Sequence, residues 1–222
     1  MKRVPLALML SALPLLSSCG DEETPLAPYR EDILEVYTDA DGFASHLLRD
    51  DGTRLTVANR VGSLPADTSY RVVALYVEEA ESVRLSSLSQ VLAPLPQTYL
   101  HGTSMADPVG VEAVWSGGGY INLRLALKTG GLPHAFGFDD RGITAGAGGS
   151  RTLHLTLLHD QGSDPPYYTR TAYVACPLYP YADNLKAGSD SVMLTVPTAD
   201  GARTWKFAYP VTHHPGTCCP TP

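Results

Sequence analysis

The chain has 222 residues, 44% of them hydrophobic, which is enough apolar material for one large or two small packed cores and excludes disorder for most of its length. Its 16 Lys and Arg stand against 23 Asp and Glu, a formal net charge of −7, so nucleic acid and anionic lipid head groups are excluded as principal partners. Twenty Gly and 18 Pro interrupt nearly every apolar run; long helices cannot survive that, and the chain reads as all-β.

In chain order, Lys2 and Arg3 form a basic start and Val4 to Leu16 an apolar run of 13 residues, followed by Ser17, Ser18 and Cys19. Crossing a hydrocarbon core takes roughly 20 helical residues. Residues 1–18 therefore read as a removable secretory signal. The order Leu16-Ser17-Ser18-Cys19 resembles a bacterial lipobox, which implies cleavage before Cys19 and lipidation of that cysteine, hence a membrane partner through an N-terminal lipid anchor. The alternative is plain secretion after cleavage near Ser18. Asp21, Glu22 and Glu23 resemble the acidic export signal of Bacteroidetes lipoproteins, implying an outer-membrane protein facing the cell surface; read plainly, they are a solvated charge run beside a membrane. Residues 19–30, with Pro25 and Pro28, form a lipidated tether. Loss of Lys2 and Arg3 leaves 14 basic residues and a charge of −9.

Residues 31–96 read as a small OB-like β-barrel. Ile33 to Thr38 and Phe43 to Leu48 are strands around the turn Asp39-Ala40-Asp41-Gly42, and Asp50-Asp51-Gly52 supplies a hairpin turn before Leu55 and Val57. Tyr70 to Val77 is apolar on both faces and reads as a central strand, with short strands from Val83 to Leu92 closing the unit. Ala93-Pro94-Leu95-Pro96 ends it, and residues 97–107 form a linker with one short strand expected at Thr98 to Leu100.

Residues 108–211 read as an immunoglobulin-like antiparallel β-sandwich, with 212–222 a flexible tail. After Trp115-Ser116-Gly117-Gly118-Gly119, residues Ile121, Leu123, Leu125 and Leu127 share an inward face, while Tyr120, Asn122, Arg124 and Lys128 share an expected wet one. Further strands are expected at Ala135 to Phe138, Arg151 to Leu158, Thr169 to Ala175, Ser191 to Val196 and Arg203 to Val211, with a glycine-rich loop from Gly142 to Gly149.

The acidic lipoprotein start, the stretch Trp115 to Leu123, and Leu155-Thr156-Leu157-Leu158-His159-Asp160 with Tyr173 to Leu178 together resemble the NigD-like family of Bacteroidetes lipoproteins. That resemblance implies an N-terminal OB-like barrel, a C-terminal β-sandwich and a bacteriocin-immunity or accessory role. It implies no catalytic residues and no cofactor.

The residues themselves agree with a non-enzymatic reading. No Gly-x-Ser-x-Gly elbow, His-Glu-x-x-His helix or phosphate loop occurs. His154 and His159 lie an odd number of positions apart on a strand, so they point to opposite faces and cannot share a metal. His213, His214, Cys218 and Cys219 follow the last strand and read as a tail, not a metal centre; either cysteine could instead form a disulfide with Cys176. The candidate ligand surface is the cluster Tyr167, Tyr168, Tyr173, Tyr179 and Tyr181, because exposed tyrosines suit a protein or glycan ligand, giving a surface glycan-binding accessory lipoprotein as the alternative function.

Overall fold

A computed structural model describes residues 28–99 and 105–210. Cys19, Asp21, Glu22, Glu23, Cys218 and Cys219 lie outside the described residues. The fold is all-β, as the frequency of turn residues dictates: a closed five-stranded barrel followed by a two-sheet sandwich.

The barrel is built from β1 (Tyr29–Thr38), β2 (Ala44–Leu48), β3 (Arg54–Val57), β4 (Ser69–Glu78) and β5 (Ser82–Gln90), in the closed order β1-β2-β3-β5-β4. Alternation decides which side chains enter it. Leu34 and Val36 from β1, Val72, Ala74 and Tyr76 from β4, and Val83 and Leu85 from β5 fill the interior around Leu47. Turn chemistry matches the sequence: Asp39 Oδ1 accepts hydrogen bonds from the Asp41 and Phe43 N–H, and Asp51 Oδ1 accepts from the Thr53 N–H beside Gly52 at φ +87°.

The segment after the barrel runs along the sandwich instead of hanging free. Leu92 makes a parallel bridge to Val174 in one sheet and Gln97 another to Asp139 in the other. The expected strand at Thr98 to Leu100 does not form at Thr98 and Tyr99, and Leu100 lies outside the described residues. Here the Asp139 side chain takes the Tyr99 N–H, which a strand partner would otherwise occupy.

The sandwich packs a sheet of β10 (Tyr168–Pro177), β7 (Tyr120–Thr129) and β6 (Gly110–Gly117) against one of β12 (Gly201–Ala208), β11 (Ser191–Thr198), β9 (Arg151–Asp160) and β8 (Ala135–Ala145). Ile121, Leu123, Leu125 and Leu127 meet Phe138, Leu153, Leu155, Leu157, Val192 and Leu194 in one dry core. Each such side chain contributes roughly 1.5–3 kcal/mol of transfer free energy on burial.

Four further sequence expectations change. Strand β6 was not anticipated, because a register shift between Val111 and Ala113 breaks its alternation. The Gly142 to Gly149 loop is shorter than expected: Ile143 to Ala145 stay paired with Leu153 to Arg151, leaving a short 3-10 turn at Ala147–Gly149. The sandwich is not antiparallel throughout, since β11 pairs parallel to β9. Most consequentially, the wet face of β7 is wet only along its second half: Tyr120 and Asn122 are 5% and 0% exposed, while Arg124 and Lys128 reach solvent.

Candidate functional site

The barrel covers the start of β7, and charged groups make the join. Glu35 and Arg71 are register partners on β1 and β4. Because their neighbours Leu34, Val36 and Val72 point into the barrel, strand alternation sends these two outward, onto the sandwich. The Arg71 side chain is 1% exposed and forks onto Asp50, with Nη1 to Oδ1 at 2.6 Å and Nη2 to Oδ2 at 2.8 Å. Nη2 also donates to Asn122 Oδ1 at 3.0 Å, and the guanidinium lies 4.5 Å from the centre of the Tyr120 ring. The Tyr120 hydroxyl donates to Glu35 Oε1 at 2.6 Å, and Tyr37 donates to Glu35 Oε2 at 3.0 Å. Burial first, and the Glu35 charge second, push the Tyr120 phenol well above its ordinary value, so it stays a donor. Planar bidentate pairing of this kind fixes orientation as well as distance.

Gly117 and Gly118 allow that approach. A Cβ on either would run into the Asp50 carboxylate, and Gly118 also sits at φ +59°. Gly118→Ala should therefore cost clearly more than Gly52→Ala, where the added Cβ meets nothing and the strain is that of positive φ alone, about 1–2 kcal/mol. Urea midpoints of the two variants give the comparison.

Beside this junction lies a cleft of about 670 Å³. One wall is the barrel, presenting Arg30 to Ile33 and Arg49 to Asp51. Its floor is the outer face of the β10-β7-β6 sheet, where Tyr173 pairs with Arg124 and Trp115 stands one rung further along, opposite Asn122. Each arginine of the cleft is paired within the protein. Arg30 reaches Glu78 at 3.1 Å, Arg124 reaches Glu112 at 2.8 Å, and Arg49 pairs with Glu78 and donates to the Tyr76 hydroxyl at 2.6 Å. That hydroxyl in turn donates to Asp32 Oδ2 at 2.6 Å.

The five tyrosines do not form one surface. Tyr167 and Tyr168 are 81% and 50% exposed at the start of β10. Tyr173 is half-buried in the cleft floor, and Tyr179 and Tyr181 follow the far end of the same strand, roughly 30 Å away at strand rise. Tyr181 is buried and donates to Asp140 Oδ2 at 2.9 Å. An extended strand separates residues that a fifteen-residue window of sequence places together. Cys176 is fully buried in the sandwich core; burial and then the Asp140 charge raise its thiol well above the ordinary value, which makes it a poor nucleophile.

A second buried polar set lies at the end of the sandwich. Asp164 accepts hydrogen bonds from Thr129 Oγ1 (2.5 Å), the Gly130 N–H (2.9 Å) and the Leu132 N–H (3.0 Å), clamping the β7–β8 turn. Its Oδ2 also lies 2.9 Å from His134 Nε2, and His134 Nδ1 lies 2.9 Å from His159 Nε2. His159 Nδ1 is 3.1 Å from the Asp107 carbonyl. When His159 donates to that carbonyl through Nδ1, its Nε2 is left to accept from His134. Burial opposes the charge on Asp164, yet its four donors outweigh burial and hold the carboxyl far below the usual range. His154 lies on the other face of β9, beside Thr144. Among the described residues, no group of three or more His, Cys, Asp or Glu is arranged to hold a metal ion. Nor is any helix among them long and apolar enough to cross a membrane.

A closed β-barrel joined through buried ions to a seven-stranded sandwich defines a two-unit all-β protein. The family model for the NigD-like C-terminal beta sandwich domain matches residues 96–209, more than half of the chain, and the chain belongs to that family. Among solved structures it is similar to a NigD-like immunity protein from Bacteroides caccae, at 27% identity and a TM-score of 0.61 over 81% of this chain and 96% of that one. A protein from Parabacteroides distasonis, provisionally described as toxin-related, shares the fold at 17% identity and a TM-score of 0.60, over 82% of this chain and 93% of that one. A protein from Bacteroides fragilis, provisionally described as a lipoprotein, shares it at 14% identity and a TM-score of 0.59, over 82% of this chain and 98% of that one. No curated protein matches.

Proposed function

We propose that this chain is a lipid-anchored protein of the outer membrane, held by Cys19 with Asp21, Glu22 and Glu23 directing it to the cell surface, and that it binds another molecule without transforming it. The observation carrying this reading is the junction. Arg71, braced by Asp50 within the barrel, and Glu35 reach across to Asn122 and Tyr120 of the sandwich as hydrogen-bonded buried ions, so the cleft beside them is a preformed concave surface between two units. Preformed clefts between domains are favoured ligand sites, because little ordering entropy remains to be lost on binding.

The Bacteroides caccae relative is described as an immunity protein, which supports a protein ligand and a bacteriocin-immunity or accessory role for this chain. A glycan-binding accessory role is the second reading, favoured by the exposed Tyr167 and Tyr168 and by the aromatic cleft floor. The test is crosslinking on intact cells with a tagged copy, using Cys19→Ala as the unlipidated control. Capture of one specific protein, lost in the control, supports the immunity-type reading. Unchanged killing of a gene-deletion strain by the cognate toxin would overturn immunity.

A further inference from the structure

We infer that the cleft between barrel and sandwich is a binding site for a neutral saccharide, with Trp115 and Tyr173 as the faces on which sugar rings rest and Arg30, Asp32, Arg49 and Arg124 as the groups that meet their hydroxyls. This deepens the binding-module reading and rests on it. The volume of about 670 Å³ lies inside the roughly 300–1,000 Å³ span of small-ligand sites.

The charge pattern selects the ligand's chemistry. Arg30, Arg49 and Arg124 each already hold a carboxylate, and Asp50 already holds Arg71. An anionic ligand would find no unpaired cation there, would meet the exposed carboxylates of Glu31 and Asp51, and would have to displace an internal partner. A neutral hydroxyl can join without displacement: a guanidinium has five donors and a carboxylate about four acceptor sites, and the pairs described use only some of them. Each sugar hydroxyl both donates and accepts, so it can bridge an Arg–Asp or Arg–Glu pair.

The floor favours a ligand that packs on side chains. It is the face of a sheet whose central strand β7 is paired on both sides, to β6 and to β10. The backbone groups of β7 are therefore consumed, and a ligand lying across the floor meets side chains there; strand addition would require the outer edge of β6. What the floor does offer is two flat aromatic side chains flanking Arg124, apolar on the face and polar at the edge, which match the C–H face and hydroxyl rim of a pyranose.

The test is native electrophoresis of the full chain in mild detergent, through gels cast with starch, mannan, xyloglucan or arabinoxylan, with heparin as the anionic control. At least one neutral polysaccharide should retard the protein. Trp115→Ala should weaken that retardation about tenfold or more. Ala113→Arg, which places a long side chain on the exposed cleft lining without deleting packed atoms, should do the same, while Tyr167→Ala should leave it intact. Retardation by none of the four, retardation by heparin alone, or retardation that survives Ala113→Arg overturns the inference. So does loss on Tyr167→Ala with the cleft variants unaffected. A specific protein partner captured on cells would still stand after any of these failures, so the broader binding reading falls or survives separately.

Discussion

Arg71→Ala is expected to destabilise the protein by roughly 3–5 kcal/mol, the cost of removing one partner from a buried charge pair. The truncation strands three groups at once. Asp50 loses both guanidinium hydrogen bonds, Asn122 Oδ1 loses its donor, and the Tyr120 ring loses the cation lying over it. Asn122 is 0% exposed beneath a barrel strand and cannot regain water, whereas the Asp50 side chain, 24% exposed at the cleft, regains it in part, which sets the loss toward the lower end of that range. Combining Arg71→Met with Asp50→Ala should recover part of the loss, since the uncompensated carboxylate is then gone; a coupling of about 0.5–3 kcal/mol is expected between directly paired groups. Urea denaturation at pH 7, followed by both Trp fluorescence and far-UV circular dichroism, reads the outcome. Wild type should unfold in one transition. In Arg71→Ala the barrel, whose interior is a small cluster around Leu34, Val36, Leu47 and Tyr76, should melt ahead of the sandwich. An Arg71→Ala midpoint within about 0.5 kcal/mol of wild type would show that the junction is held by something else.

The residues that make this junction show where a single sequence is legible and where it is not. Asp50 reads as a turn residue because it precedes Asp51 and Gly52, but those two make the turn while Asp50 pairs with Arg71 and lays its carboxylate against Gly117 and Gly118 of the sandwich. Gly117 and Gly118 sit at the β6–β7 hairpin, yet both also clear a path for a carboxylate contributed some 67 positions earlier in the chain. Tyr120 and Asn122 alternate correctly with Ile121 and Leu123; alternation reveals that a strand has two faces and says nothing of what a second domain will lay on one of them. Local signals did specify the turns at Asp39 and Asp51, the strands of both units other than β6 and the barrel-then-sandwich order, because those depend on neighbours in sequence. The tyrosine cluster failed for the opposite reason. Nearness in sequence is separation in space once the residues lie along an extended strand.

Acidification should reduce stability in two windows, and His159 gives the upper one. Its imidazole is lowered from the ordinary histidine value by burial first and the neighbouring His134 second; hydrogen bonding to the Asp107 backbone and the charges of Asp107 and Asp160 oppose this but lose. Phe136 stacks on the ring at 4.8 Å and completes its surroundings. Because the folded-state value is depressed, the unfolded chain takes up a proton where the folded chain does not. Stability therefore falls as pH drops through about 6.5 toward the folded value, with a slope of up to about 1.4 kcal/mol per pH unit for the one group. His46 acts with the same sign: burial and the Arg54 charge push it down to about 4, and it stacks on Tyr37 at 4.4 Å. The lower window belongs to Asp164, whose depressed carboxyl contributes stability that is present above its unfolded value near 3.8 and is lost as pH falls below it. His159→Leu separates the terms. At pH 7 it should cost about 1–3 kcal/mol, because the buried His134 Nδ1 loses its acceptor. Between pH 6.5 and 4.5 it should unfold with a shallower pH slope than wild type, and His46→Gln should shorten the same window independently. If His159→Leu keeps the full wild-type slope while His46→Gln abolishes it, the upper window comes from the barrel surface and the buried relay of Asp164, His134 and His159 serves only to clamp the β7–β8 turn.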